Sequence, residues 1–136
     1  VKYLVTENSN LQSSKNDIST ENKHKIDLLK DYMESHEPYL EPSLSIYDLS
    51  KQLDMPTKEL SILINHSLNQ HFFDFVNEYR IEKAKSILAQ PENRGITVLE
   101  ILYDVGFNSK SSFNTAFKKH TGQTPTQFRK ASLIKR

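Results

Sequence analysis

The chain has 136 residues, of which 36% are hydrophobic and 26% charged, and its formal net charge is +1. This length suits one domain or two small subdomains. No apolar run approaches the roughly 18 residues of a membrane span, so we expect no membrane contact by this fragment. The absence of cysteine excludes disulfides and cysteine nucleophiles and fits a cytoplasmic protein. The chain starts at Val1 and lacks a signal-peptide pattern, so we expect it to be a fragment.

Charge is distributed unevenly along the chain. Residues 1–43 carry five Lys or Arg and eight Asp or Glu, whereas residues 96–136 carry seven and two. A basic final third is expected if that part meets phosphates, but a basic tail that keeps a protein soluble has the same composition. Charge alone leaves both interpretations open.

The N-terminal third predicts one helix. Residues 1–19 are rich in Asn, Ser, Lys and Thr without apolar periodicity, which predicts a flexible linker or tail. Ser19 or Thr20 is expected to cap a helix over roughly 21–36. Prolines 38 and 42 then predict an extended connection.

A first helix pair is predicted over about 44–69. Ser45 and Asp48 have the spacing of a capping box. A turn over 54–57 separates the two helices. The predicted inner faces are Ile46, Leu49 and Leu53 on the first helix and Leu60, Leu63, Ile64 and Leu68 on the second.

A second helix pair is predicted from residue 96. Thr97 and Glu100 have capping-box spacing, and Gly106 ends the first helix where a positive φ is tolerated. Asn108 or Ser109 starts the next helix, which Gly122 ends. The inner faces are Val98, Ile101, Leu102 and Val105, and then Phe113, Ala116 and Phe117. Thr124, Pro125 and Gln127 form a further capping box that opens a last helix.

The two pairs are copies of one pattern. Apolar positions of the first helix recur 52 residues later, and those of the second helix recur 53 residues later, so the second turn is one residue longer. A repeated helix pair indicates a duplicated unit. Two helices crossing at a tight turn, with a polar, Lys-bearing face on the second, is the layout of a helix-turn-helix that reads DNA.

A long helix is predicted between the two units, at about 72–89. Its apolar residues cover much of its circumference, which is typical of a helix packed on more than one side. About 18 residues span on the order of 27 Å. Such a helix could hold two recognition helices about one DNA turn apart, roughly 34 Å.

The C-terminal motif resembles that of a known family. Gly106-Phe107-x-Ser109-x-x-x-Phe113-x-x-x-Phe117-Lys118-x-x-x-Gly122-x-x-Pro125-x-x-x-Arg129 is similar to the DNA-binding domain of AraC/XylS bacterial transcription regulators. The match runs from about Leu44 to Lys130, and the segment from Phe75 to Leu88, with Arg80 and Ala84, resembles the family's linker helix.

The resemblance implies a fold and a function. It implies an all-α fold of about seven helices, with two homeodomain-like helix-turn-helix units whose third and sixth helices enter successive major grooves. We divide the chain into a first subdomain over 20–71, a linker helix over 72–90 and a second subdomain over 91–136. A sensory or dimerisation region is implied elsewhere in the full-length protein.

Candidate DNA contacts follow from the outward helix faces. Asn can read adenine with two hydrogen bonds, Ser and Thr can bond base edges, and Lys, Arg and helix N-termini can bind phosphates. The base-reading candidates are Lys58, Ser61, Ile62, Asn65, Ser111, Asn114 and Thr115. The phosphate candidates are Thr57, Ser109, Lys110, Lys118, Lys119, Thr124 and Arg129.

Departures from the family make the first unit the less certain reader. Many members carry Arg where Ile62 and Thr115 stand, so this chain should read different or fewer bases. Ile62 either packs on thymine methyls or lies at the edge of the core. Leu102 replaces a smaller residue and requires local repacking. Asp54 stands where Gly is common and tolerates a left-handed backbone.

Other functions have weaker support. The rival is a protein–protein module whose Ile62 face docks a partner such as an RNA polymerase subunit. The five histidines lack metal-ligand spacing, and no nucleophile or Gly-rich phosphate loop is visible. We therefore predict neither enzyme activity, nor a metal, nor a cofactor.

Overall fold

The computed structural model describes residues 8–134, with the backbone alone for residues 8–19. Seven α-helices occur in this part of the chain, without a strand, so the predicted all-α fold is confirmed. They are α1 (Asn8–His36), α2 (Ile46–Gln52), α3 (Thr57–Ile62), α4 (Phe72–Leu88), α5 (Val98–Asp104), α6 (Lys110–Thr121) and α7 (Pro125–Ile134). Single 3₁₀ turns lie at Pro38–Leu40 and Pro91–Asn93, and a π turn, Leu63–Ser67, continues α3.

Helix α1 starts earlier than the sequence predicts. It begins at Asn8, so the predicted start near residue 21 is wrong, and residues 8–19 are helical where a flexible segment was expected. No Gly or Pro stands between residues 8 and 36 to stop the helix. Residues 1–7 of that predicted tail lie outside the described residues.

The first helix pair forms as its local signals dictate. The Ser45 hydroxyl accepts a hydrogen bond from the Asp48 N–H, and the Asp48 carboxylate accepts one from the Ser45 N–H, both at 3.1 Å. This confirms the capping box. Asp54 ends the pair's first helix in the left-handed region at φ 53°, as expected of the residue that replaces Gly.

The second pair has the same construction. Gly106 turns the chain at φ 106° and Gly122 ends α6 at φ 78°. Ser109 caps α6 through a 3.1 Å bond from the Ser112 N–H, and Thr124 and Gln127 form both bonds of their capping box. Of the predicted Thr97–Glu100 box, the bond from the Glu100 N–H to the Thr97 hydroxyl is present, at 3.0 Å.

Two hydrophobic cores share helix α4. Phe75 and Val76 belong to the first core, which buries Leu29 and Met33 of α1 together with Leu49, Leu60 and Ile64. Ile81, Ala84 and Leu88 belong to the second core, which buries Ile101, Leu102, Val105, Phe107, Phe113, Ala116 and Phe117. The prediction of a helix packed on more than one side is confirmed. Leu102 is 1% exposed, so the second core accommodates its larger side chain.

Arg80, at the middle of α4, is the charged side chain that lies between the cores. It is 6% exposed. Its Nε donates to the Tyr39 carbonyl at 2.7 Å, its Nη2 to the Glu41 carbonyl at 2.9 Å and its Nη1 to Asn77 Oδ1 at 3.1 Å. Burial lowers the pKa of this guanidinium, which nevertheless stays charged at neutral pH.

Phe113 should dominate the stability of the second core. It is fully buried and packs against the rings of Phe107 and Phe117. We expect Phe113→Ala to lower the free energy of unfolding by about 3–5 kcal/mol, because it removes apolar contacts and leaves a cavity. Tyr103→Ala, at a site 52% exposed, should change it by less than about 0.5 kcal/mol. Urea unfolding followed by circular dichroism measures both, and equal losses would contradict the assignment.

Candidate nucleic-acid interface

Helix α6 presents one polar and one apolar face. Phe113, Ala116 and Phe117 point into the second core. On the opposite face, the predicted base-reading side chains Ser111, Asn114 and Thr115 are exposed, as are Lys110 and Lys118. Among the described residues, no carboxylate lies within ion-pair distance of either lysine, so both can meet an external anion.

The equivalent face in the first unit is less open. Lys58 and Asn65 are exposed, and Ile62 is 45% exposed and outside both core clusters. Ser61 is half-buried, and its hydroxyl accepts a 3.0 Å bond from Asn65 Nδ2. Asn65 lies in the π turn, so its side chain is not at the α-helical position that the sequence spacing assumed.

The negative charge of Glu59 on α3 is compensated by a lysine of α1. The Glu59 carboxylate is ion-paired with Lys25 of α1, and this hydrogen-bonded pair raises the pKa of Lys25. Glu59 would otherwise repel a phosphate beside Lys58. The contact also fixes α1 against the first recognition helix.

Two grooves meet at Asp74, and one of them brings residues of both units together. One is lined by Asn65 after α3, Asp74 at the start of α4, and Lys119 and His120 at the end of α6. The other is lined by Asp74 and Asn77 of α4 and by Ser111, Thr115 and Lys119 of α6. Candidate base-reading residues of both units therefore lie on the side of the molecule where Asp74 is found.

Asp74 was not identified from the sequence. Its carboxylate Oδ1 lies 3.1 Å from Lys119 Nζ, and both side chains are partly exposed. The signal that could have found it is its position on the polar side of α4, three and four residues before Asn77 and Glu78. Lys119, predicted as a phosphate contact, is thus already paired with an acid.

The hydroxyls predicted to meet phosphates have structural partners. The Ser109 and Thr124 hydroxyls cap α6 and α7. The Thr57 hydroxyl shares a 2.8 Å hydrogen bond with the Ser50 hydroxyl. The Thr124 N–H is also occupied, by Gln127 Oε1 at 3.0 Å.

Arg129 occupies a different environment from the other candidates. Its side chain is partly buried, and Nη2 donates to the Ile96 carbonyl at 2.6 Å. It therefore connects α7 to the segment before α5, and we do not include it in the proposed DNA surface.

Within residues 8–134, no three or more His, Asp or Glu side chains are grouped so that they could hold a metal ion. No helix in this part of the chain is long and apolar enough to cross a membrane.

The chain matches known proteins in sequence. A family model described as a helix-turn-helix domain matches residues 49–131. An HTH-type transcriptional regulator of Staphylococcus aureus strain COL is 35% identical over 108 residues, which are 79% of this chain and 14% of that protein. The Msm operon regulatory protein of Streptococcus mutans is 28% identical over 88 residues, 65% of this chain and 31% of that protein. The chain thus spans less than a third of these relatives.

Solved structures share the fold. The C-terminal domain of the two-component response regulator yesN from Fusobacterium nucleatum has a TM-score of 0.63 and 32% identity, covering 78% of this chain and 98% of that one. The C-terminal domain of AraT, a response regulator from Geobacillus stearothermophilus, has a TM-score of 0.64 and 25% identity, covering 78% and 84%.

The fold, with its two duplicated units and their polar outer helix faces, is that of a helix-turn-helix DNA-binding domain of a transcription regulator. More narrowly, the chain belongs to the AraC/XylS family of these regulators, as its C-terminal motif predicts.

Asp74 should weaken the electrostatic part of DNA binding, because it neutralises Lys119 and places a negative charge between the two outward faces. We expect Asp74→Asn to raise the affinity for DNA of any sequence about two- to fivefold at low salt. Fluorescence polarisation with a random-sequence duplex measures this.

Glu82→Gln is the matched control, because Glu82 pairs with Lys85 at 3.0 Å on the same helix but lines neither groove. Unchanged affinity in Asp74→Asn, or an equal rise in both variants, would contradict a specific effect of Asp74.

Proposed function

We propose that this chain is the DNA-binding domain of a bacterial transcription regulator and binds double-stranded DNA sequence-specifically, with α3 and α6 in successive major grooves. The observation that carries the proposal is the outward face of α6, where Ser111, Asn114 and Thr115 are exposed. The aromatic residues on the opposite face of this helix are fully buried. A helix held this firmly can present hydrogen-bonding groups to base edges in a fixed register.

In this proposal α6 supplies most of the sequence reading. Asn114 can bond adenine N6 and N7, and Thr115 can contact a thymine methyl or a base-edge donor. Lys110 and Lys118, at opposite ends of the same helix, bind the phosphates that flank the groove. Their long-range attraction also speeds the encounter with DNA.

Helix α3 reads DNA by a different chemistry. Ile62 is the apolar residue in the middle of its outward face and is 45% exposed, which suits contact with thymine methyls. The bond from Asn65 Nδ2 to the Ser61 hydroxyl occupies one amide hydrogen, so Asn65 keeps its second N–H and its Oδ1, and Ser61 keeps its O–H, for base edges. The first unit therefore favours A·T pairs with modest selectivity, while Lys58 meets a phosphate.

The length of α4 supports simultaneous binding by both units. Its 17 residues extend about 26 Å, and the cores of both units pack on it. Successive major grooves on one side of a duplex are roughly 34 Å apart. One chain could thus contact two adjacent grooves without a second copy.

The decisive experiment is selection of binding sites from a random DNA pool, followed by salt titration on the recovered duplex. We expect an enriched site with two conserved blocks about 10 base pairs apart, and affinity that falls as salt rises. Binding that ignores sequence, or that stays constant between low and high salt, would refute the proposal.

Asn114 and Lys118 should separate base reading from phosphate binding. Asn114→Ala should lose about 1–3 kcal/mol of discrimination at one base pair, because it removes a bidentate base contact. Lys118→Ala should weaken binding to all sequences alike and reduce the salt slope by about one. Competition titrations with single-substituted duplexes measure both effects. The assignment of Asn114 fails if Asn114→Ala weakens cognate and random DNA equally.

A protein–protein role is the second candidate. Phe73 at the start of α4 is 65% exposed, and with Ile62 it offers apolar area to a partner such as an RNA polymerase subunit. A chain with this role alone would show no salt-sensitive retention on heparin or DNA resin. Sensing, dimerisation and action in the cytoplasm are proposals for the whole protein, of which this chain is one part.

A further inference from the structure

Helix α4 joins the two helix-turn-helix units along one axis. Phe75 and Val76 anchor it in the first core, and Ile81, Ala84 and Leu88 anchor it in the second. A shared helix sets the separation of two bodies along its axis. Their relative rotation depends on how each core packs on α4 and on contacts that reach from one unit to the other.

Arg80 makes such a contact on both sides. Its Nε and Nη2 donate to the carbonyls of Tyr39 and Glu41, which lie in the connection before α2 and belong to the first unit. The same guanidinium lies over the ring of Phe107, 5.6 Å from its centroid, and Phe107 follows the turn of the second unit. One planar group thus joins the backbone of one unit to an aromatic ring of the other.

The turn at Gly106 is part of the same contact. A Cβ built on Gly106 would lie 2.3 Å from the Tyr39 carbonyl oxygen and 2.8 Å from Arg80 Nε. The backbone of the second helix-turn-helix therefore packs directly on the connection of the first unit. Any side chain at 106 would force the two units apart or rotate them.

We propose that Arg80 is a positioning residue that sets the rotation between the two units, and thereby the spacing of the two DNA half-sites that the chain accepts. This inference rests on the proposed function. Lysine cannot replace it fully, since a compact ammonium lacks the planar fork with which the guanidinium reaches two separate carbonyls while its carbon lies over the ring. The polar contact between α4 and α6, Lys119 with Asp74, is a single exposed ion pair and constrains rotation less.

The test measures tolerance to half-site spacing. The probe is the duplex selected by the wild-type chain, with zero to three base pairs inserted between its two blocks. Each inserted pair turns one block by roughly 35° and moves it by about 3.4 Å. We expect two inserted pairs to weaken wild-type binding at least about thirtyfold, but Arg80→Met binding less than about fivefold. Arg80→Lys should lie between them.

The control is Arg94→Met, which removes the same charge from an exposed arginine bonded only to the Pro91 carbonyl. It should keep the wild-type spacing profile. If Arg80→Met does not unfold cooperatively, Arg80→Lys replaces it, and residual dipolar couplings of the free protein report whether the units have reoriented.

The possible failures are distinguishable. If the wild-type chain enriches no DNA sequence, both the proposed function and this inference are refuted. The inference alone is overturned if the wild-type chain and the Arg80 variants tolerate the inserted base pairs equally poorly and the residual dipolar couplings of the variants are unchanged. General weakening of binding with an unchanged spacing profile also overturns it, because that is what a merely structural arginine would produce.

Discussion

The burial of Arg80 is the constraint on which the two-unit arrangement depends. Among the described residues no carboxylate pairs with it, so its desolvation is offset by neutral groups, two backbone carbonyls, an amide and a ring. The exchange is mutual, because these bonds also occupy the Tyr39 and Glu41 carbonyls. An apolar residue at this position would remove the bond to the Tyr39 carbonyl and leave the Glu41 carbonyl with its bond from the Leu44 N–H. The units are therefore joined by a polar contact of defined geometry in addition to the two apolar cores that pack on α4.

The two units use the same core pattern with different outer faces. Both bury three apolar positions per recognition helix and close the turn with a left-handed residue, Asp54 in one and Gly106 in the other. Their outer faces differ because other side chains of the protein pair with polar groups on the outer face of the first unit. In α3, Lys25 pairs with Glu59 and Asn65 bonds Ser61. In α6 the equivalent polar groups are exposed. Duplication thus preserved the scaffold, while the chemistry offered to DNA diverged.

The sequence predicts what local interactions determine. Helix boundaries from Ser45 onward, the caps at Ser45 and Ser109 and the left-handed turns follow from neighbours within four residues. Contacts between residues far apart in the chain cannot be predicted from such neighbours. Lys119 meets Asp74 across 45 positions, and Arg129 meets the Ile96 carbonyl across 33. The early start of α1 was missed because Asn and Ser disfavour helix only weakly. Ile62 is 45% exposed, which fits both alternatives left open for it, so its contact with thymine methyls stays a prediction.

The net charge of the C-terminal third overstates the charge available to DNA. Of its seven Lys and Arg residues, Arg129 bonds a carbonyl inside the fold and Lys119 pairs with Asp74. Two more, at 135 and 136, lie outside the described residues. Lys110, Lys118 and Lys130 remain exposed. Because only these three of the described cations in this third are exposed and unpaired, we expect the electrostatic share of affinity to be modest. Affinity for a preferred site then depends on how well α6 fits the bases, and that fit requires the rigid support behind it.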